Sequence, residues 1–270
     1  MRSVPHRTVL VTGASSGIGQ ATARRFAAEG FDVFGTSRRV RPDENGVRMV
    51  QLDLRSEDSV RDCVSKVLAR AGRIDVLVNN AAVAYQGFAE ETPPAHARAV
   101  FDTNFFGTVR LINTVLPGMR ARRCGRIINV GSLAACVGEP GDGIYAASKA
   151  ALARYTEALR HEVWHCGVGV SLVEPGAFVT NITQAAATAP ATIGDYDGPR
   201  EQARRTIHDS LRKGEDPRKA AAVIVKVASA RSPRLRYAAG REARWVPAVK
   251  AFLPQSLFDT LLRRGFGLPS

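Results

Sequence analysis

The stretch Thr8-Val9-Leu10-Val11-Thr12-Gly13-Ala14-Ser15-Ser16-Gly17-Ile18-Gly19 joins a short apolar run to a glycine-rich turn and the start of a helical pattern. Thr8 to Val11 is β-branched apart from Leu10 and stops at Thr12-Gly13. Such side chains pack well on a pleated surface, so the run reads as a strand. From Gly17 to Glu29, Ile18, Ala21 and Phe26 recur at helical spacing. Glycines allow the tight turn between the two and let backbone N–H groups approach an anion, while the helix points its positive end at the same place. The spacing is G-x3-G-x-G, not G-x-G-x-x-G, so the turn takes its meaning from its position between a strand and a helix.

The alternation continues down the chain. Phe31 to Thr36 and Val47 to Leu52 read as strands, and Ser56 to Ala71 as a helix whose Ser-Glu-Asp start supplies a cap and favourable dipole charges. Ile74 to Val78 reads as a fourth strand, bounded by Asn79 and Asn80. After Pro93-Pro94 one long helix is expected to about Arg122, followed by a strand at Arg126 to Val130 and a helix from Tyr145 to Trp164. Val168 to Val173 reads as a sixth strand ending at Pro175-Gly176, Pro217 to Ala230 as a helix, and Leu235 to Ala239 as a last strand. Nearly continuous apolar strands separated by helices predict an α/β fold: a doubly wound, Rossmann-type parallel sheet with helices on both faces. A single domain over residues 1–270 is expected. Ligands of such sheets sit at the carboxyl ends of the strands, which directs attention to the loops after each one.

The loop after the second strand distinguishes coenzymes. An NAD site presents an acid about 20 residues past the glycines to hold the ribose 2′-hydroxyl, whereas an NADP site uses a basic group for the 2′-phosphate. Here the strand runs into Ser37, Arg38 and Arg39, and Asp32 lies at the wrong end. A guanidinium fork suits a phosphate dianion, so NADP(H) is preferred over NAD(H), with Arg38 as the ligand and Arg39 in reserve.

Tyr145 and Lys149 stand four apart on a predicted helix and share a face, and Ser132 ends the strand thirteen residues before Tyr145. A phenol with a pKa of ~10 is a poor proton donor and acceptor at neutrality unless a cation favours the phenolate. At ~4 Å and an effective dielectric of ~20, Lys149 would contribute ~4 kcal/mol, or ~3 pKa units, and bring Tyr145 toward neutrality.

Together these residues resemble the short-chain dehydrogenase/reductase family, over about residues 7 to 182. The resemblance is carried by the TGASSGIG turn, Asp53-Leu54, Asn79-Asn80-Ala81-Ala82, Asn104 with Gly107, Ser132, the Tyr145/Lys149 pair, and Pro175-Gly176 with Thr180. Two departures are Ala82, where the family commonly has Gly, and Cys136 shortly after Ser132. The resemblance implies hydride transfer between a nicotinamide and a ketone or secondary alcohol. Tyr145 would exchange the proton, Lys149 would tune it and hold the nicotinamide ribose, Ser132 would orient the substrate oxygen, and Asn104 would hold a water leading to Lys149. Coenzyme contacts are implied at Gly13, Ser15, Ser16, Gly17, Ile18 and Gly19, and at Ser37 and Arg38. Asp53 and Leu54 would lie at the adenine, Asn80 and Ala81 along the channel, and Pro175, Gly176 and Thr180 at the carboxamide.

Residues 181–215 are expected to form a substrate flap with a basic helix containing Arg204, Arg205, Arg212 and Lys213, open to an apolar ketone or a carrier-linked acyl group. Residues 245–270 read as an amphipathic tail: Phe252, Leu257, Phe258, Leu261 and Leu262, with Arg263 and Arg264 on the polar side. Core closure or packing in a homo-oligomer is preferred for this tail over a peripheral membrane contact. It also suggests the steroid- and retinol-type members of the family, hence a lipophilic substrate.

The formal net charge is +13, of which residues 200–270, with 16 Lys and Arg against 6 Asp and Glu, carry +10. No long run of like charge accompanies the excess, and nucleic acid is not expected as a partner. Cys63, Cys124, Cys136 and Cys166 are too dispersed for a zinc site or a disulfide framework. The apolar run beginning at Val9 is too short for a secretory leader and no long apolar span occurs, so a cytoplasmic protein is expected. Two rivals are an idle NADPH-binding regulatory module, which predicts a degraded catalytic set, and an anion or nucleic-acid binder, whose affinity would fall steeply with salt.

Overall fold

The computed structural model describes residues 7–182 and 186–268, so 183–185 of the expected flap and 269–270 of the expected tail lie outside the described residues. The first half runs β1 (Thr8–Val11), α1 (Gly17–Ala28), β2 (Asp32–Ser37), β3 (Val47–Gln51), α2 (Glu57–Ala71), β4 (Val76–Asn79) and the short β5 (Tyr85–Gln86). Helices α3 (Pro94–Phe101) and α4 (Gly107–Ala121), strand β6 (Gly125–Val130), helix α5 (Gly143–Val163) and strand β7 (Val168–Pro175) follow. The remainder holds the short β8 (Ala187–Thr188), α6 (Asp197–Arg212), α7 (Pro217–Ser229), β9 (Arg236–Ala239), α8 (Glu242–Phe252) and α9 (Gln255–Gly265).

Seven strands form one parallel sheet in the order β3-β2-β1-β4-β6-β7-β9. The order reverses between β1 and β4, which opens a crevice at their carboxyl ends, the place where such sheets bind ligands. Burial explains the uninterrupted apolar strands. Val9 and Val11 join Phe26, Ile224 and Val227 in the core on one face, whereas Leu10 joins Val60, Leu111 and Leu159 on the other. Leu77 is likewise opposed by Val76 and Val78. Period two is present, but both phases are apolar because both faces are covered. Inside the sheet, paired Asn79 and Asn129 are linked, Asn79 Nδ2 donating to Asn129 Oδ1 at 2.8 Å and Asn129 Nδ2 to Thr156 Oγ1 at 2.9 Å.

Local chemistry sets several ends. Ser56 caps α2 by accepting from the Ser59 N–H at 3.2 Å, and Gly72 (φ 73°) ends it in the left-handed conformation. The expected single helix from Pro94 to Arg122 is interrupted: Asp102–Phe106 is a π-helical turn in which the Gly107 N–H reaches back to the Asp102 carbonyl. The extra residue turns Asn104 inward, to 1% exposure. Helix α5 begins at Gly143, two residues before the expected start, and the tail is two helices joined at Leu253-Pro254.

Candidate active site

A cleft of about 380 Å³ runs from the β1–α1 turn across the carboxyl ends of β2, β4, β6 and β7 to α6. This is the volume of a small-molecule site. At one end lie Gly13, Ser15, Ser16, Gly17 and Ile18, with Ser37 and Arg38 beside them. Gly13 (φ 67°) and Gly17 (φ 55°) need the conformation that only glycine adopts without strain. Gly19 does not line the cleft. A Cβ there would lie 2.2 Å from the Gly13 carbonyl oxygen, so this glycine lets the helix close against the turn. Ser16 precedes α1 without capping it through its side chain, which leaves the first N–H groups of the helix available to a ligand.

Arg38 lines the cleft and forms no ion pair among the described residues; Arg39 is outside the lining. Leu54, Asn80 and Ala81 continue the wall. Asn80 Nδ2 donates to the Thr12 carbonyl at 3.0 Å, which fixes the β4 loop to the glycine turn. Asp53 also lines the cleft, but both of its oxygens already accept from Arg55, at 3.0 and 2.7 Å. These bonds hold its carboxyl below the usual carboxylate range. Pro175, Gly176 and Thr180 close the opposite wall, the Thr180 methyl packing near Gly17. An uncapped helix terminus, a turn of glycines and an unpaired guanidinium facing one cleft fit the pyrophosphate and ribose of a nicotinamide dinucleotide.

Ser132, Tyr145 and Lys149 meet in the middle of this cleft. Ser132 follows β6 and caps a short 3₁₀ turn, its Oγ accepting from the Ala134 N–H at 3.2 Å, and it hydrogen-bonds the Tyr145 phenol. Lys149 is 3% exposed; its Nζ donates to the Val130 carbonyl at 2.8 Å and lies 5.8 Å from the centre of the Tyr145 ring.

The expected lowering of Tyr145 by Lys149 is not among the influences on the phenol. Burial raises the Tyr145 pKa, the nearby Asp142 raises it further, and only the Ser132 hydrogen bond opposes them. Lys149 is itself lowered to about 8 by burial. Lys149 is desolvated and bound to a carbonyl, a different setting from the near-surface pair that the spacing suggested.

Asn104 is buried at the π-helical turn. It is not part of the cleft lining, and its carboxamide accepts from the Val83 N–H at 2.8 Å and donates to the Val83 carbonyl at 2.9 Å and to Ser148 Oγ at 3.0 Å. It ties the β4 loop to α5.

Sequence reasoning passed over three carboxyls in the same cleft: Glu139, Asp142 and Glu242. None forms an ion pair among the described residues. Burial, then Glu242, pushes Glu139 up to about 7; burial, then Glu139, pushes Asp142 up to about 8. The available signal was position, since Asp142 and Glu139 stand three and six residues before Tyr145, in the loop that enters α5. Beyond them Phe178, Ile207 and Leu211 give the cleft an apolar end. Helix α6 is held there by an ion pair between Arg200 and the buried Glu91, which also accepts from the Ile193 N–H at 2.9 Å.

Comparison with known proteins agrees with this geometry. Residues 7–191 match the family model described as short chain dehydrogenase. A 3-ketodihydrosphingosine reductase of Bacteroides thetaiotaomicron is 36% identical over 258 residues, covering 94% of this chain and 96% of that protein. Human retinol dehydrogenase 8 is 35% identical over 254 residues, 85% of this chain and 80% of that one. The crystal structure of a short-chain dehydrogenase from Streptomyces avermitilis superposes with a TM-score of 0.82 at 35% identity, covering 97% and 98% of the two chains. With its parallel sheet, glycine turn and Ser132–Tyr145–Lys149 cluster, the chain belongs to the short-chain dehydrogenase/reductase family, oxidoreductases that act on CH–OH and C=O groups with a nicotinamide coenzyme.

Proposed function

We propose that this chain is an NADP(H)-dependent reductase of long-chain ketones bearing an amino group near the carbonyl, compounds of the 3-ketodihydrosphingosine kind. The observation that carries this reading is that Glu139, Asp142 and Glu242, none in an ion pair among the described residues, line the cleft with Tyr145 and with the apolar Phe178, Ile207 and Leu211. An ammonium group supplies the missing counter-charge and favours ionisation of Glu139 and Asp142, while the apolar wall accepts an alkyl chain. A carrier-linked acyl group fits less well. Its phosphate-bearing arm would face those carboxyls, and Arg204 and Arg205 of α6 are already paired with Glu201 at 2.8 and 2.7 Å.

NADP(H) is supported by Arg38, a guanidinium without an ion pair among the described residues, at the end of β2 where an NAD site has an acid. When bound, the coenzyme supplies or accepts the hydride. The protein does the rest. Ser132 holds the substrate oxygen, Tyr145 gives it the proton, and Lys149 binds the coenzyme's ribose and resupplies the phenol. A homo-oligomer acting on a small molecule, without nucleic acid, completes the reading.

The test is NADPH consumption with 3-ketodihydrosphingosine, its N-acetyl derivative and all-trans-retinal as substrates. The free amine should be reduced with the highest kcat/KM. Equal values for the amine and its N-acetyl derivative would remove the ammonium from the reading, and failure to reduce any carbonyl would remove the reductase.

A further inference from the structure

Helices α8 and α9 carry apolar side chains that the other described residues leave exposed. On α8, Trp245, Ala248 and Phe252 fall at helical spacing on one exposed face, with Trp245 55% and Phe252 88% exposed. On α9, Leu257 and Leu261 repeat the pattern. The opposite side of α9 is committed to the fold: Phe266 and Leu262 pack with Ala203 and Ile207 of α6. The expected tail is therefore divided, with Phe258 and Phe266 serving the core and Phe252, Leu257 and Leu261 left outside.

The outer face is fringed with positive charge. Arg244, Arg263 and Arg264 are exposed and make no ion pair among the described residues. Lys250 is turned inward to the Cys136 carbonyl and takes no part. The only acids from residue 241 to 268 are Glu242, at the cleft, and Asp259, which accepts from Gln255 at 2.7 Å.

We propose that this face docks on the surface of an anionic phospholipid bilayer, the apolar stripes entering the headgroup boundary and the arginines meeting lipid phosphates. Charge complementarity selects this occupant over a second copy. A two-fold pairing through the same face would bring like arginines together with almost no acid to offset them. The inference is independent of the substrate reading, although the two are compatible, since Ile207, which lines the cleft, packs against α9.

The test is flotation of the full chain with vesicles of phosphatidylcholine alone or with about one-third phosphatidylglycerol. The parent should partition to the anionic vesicles at least about tenfold more strongly than to neutral ones. Trp245→Ser/Phe252→Ser should lose that partition while keeping its circular dichroism and Tm. Should the double variant fail to fold, the emission of Trp245 in a Trp164→Phe chain gives the same information: a blue shift on adding anionic vesicles is expected. No partition, partition unaffected by the double substitution, or no blue shift would overturn the proposal. So would conversion of a lipid-free dimer to monomer by the same substitutions, which would assign the face to a second copy.

Discussion

At the glycine-turn end of the cleft the free groups are donors: the first N–H groups of α1 and the guanidinium of Arg38. Past Tyr145 they are acceptors or acids: Glu139, Asp142 and Glu242, followed by apolar Phe178, Ile207 and Leu211. The contrast divides one cavity by charge, so an anionic coenzyme has one favourable end and the proposed amino-ketone substrate the other. Tyr145 has its proton affinity raised by burial and by the acidic side.

Removing the boundary group should have the largest effect. Tyr145→Phe is expected to lower kcat about 10²–10⁴-fold while NADPH titration by fluorescence shows little change in Kd. Near-parent turnover would mean that the proton comes from elsewhere. Next, Arg38→Ala should raise the KM for NADPH about 10–100-fold, the loss of a charge-assisted contact, with NADH nearly unaffected. Equal losses for the two coenzymes would erase the distinction drawn for the donor end. At the acid end, Glu139→Gln together with Asp142→Asn should raise the KM for 3-ketodihydrosphingosine about tenfold and leave that for its N-acetyl derivative unchanged.

The smallest expected effect is on stability. Asp142 and Glu139 are raised in the folded chain to about 8 and about 7, above unfolded values of ~4. The folded state therefore binds more protons between those limits, so its stability is greatest below the unfolded values and falls as pH rises through the folded ones. Asp142→Asn should remove part of that slope, raising Tm by about 2–4 °C near pH 9 relative to the parent and by almost nothing near pH 4. A parallel pair of Tm-against-pH curves would contradict the assignment of a buried acid.

Much of the scaffold is readable from residue order alone. Val9, Leu10 and Val11 go to alternating faces yet are all buried, and that double burial writes a strand as an unbroken apolar run. Ser132, Tyr145 and Lys149 are readable because their spacing along one strand end and one helix turn fixes their proximity. The balance of their proton affinities is not, since it depends on how deeply Lys149 is desolvated and on which carboxyls the Gly138–Asp142 loop folds inward. The tail shows the same limit. Phe252 and Phe258 look alike in an amphipathic pattern, but only tertiary packing decides that one is 88% exposed and the other 9%. Nor does Asp-Thr-Asn-Phe-Phe announce a π-helical turn, because its residues suit an ordinary helix equally well.

That turn has an evolutionary corollary. A π-helical turn holds one residue more than an α-helical one, so deleting a position from 102 to 106 would let the segment relax into continuous α-helix, at the expense of the bulge that carries Asn104. Asn104 would swing off Val83 and Ser148, and the loop it anchors would lose its hold on the catalytic helix. Among descendants of this gene, substitutions in this stretch should outnumber length changes, and a shortened variant should appear only where Asn104 has already been given up.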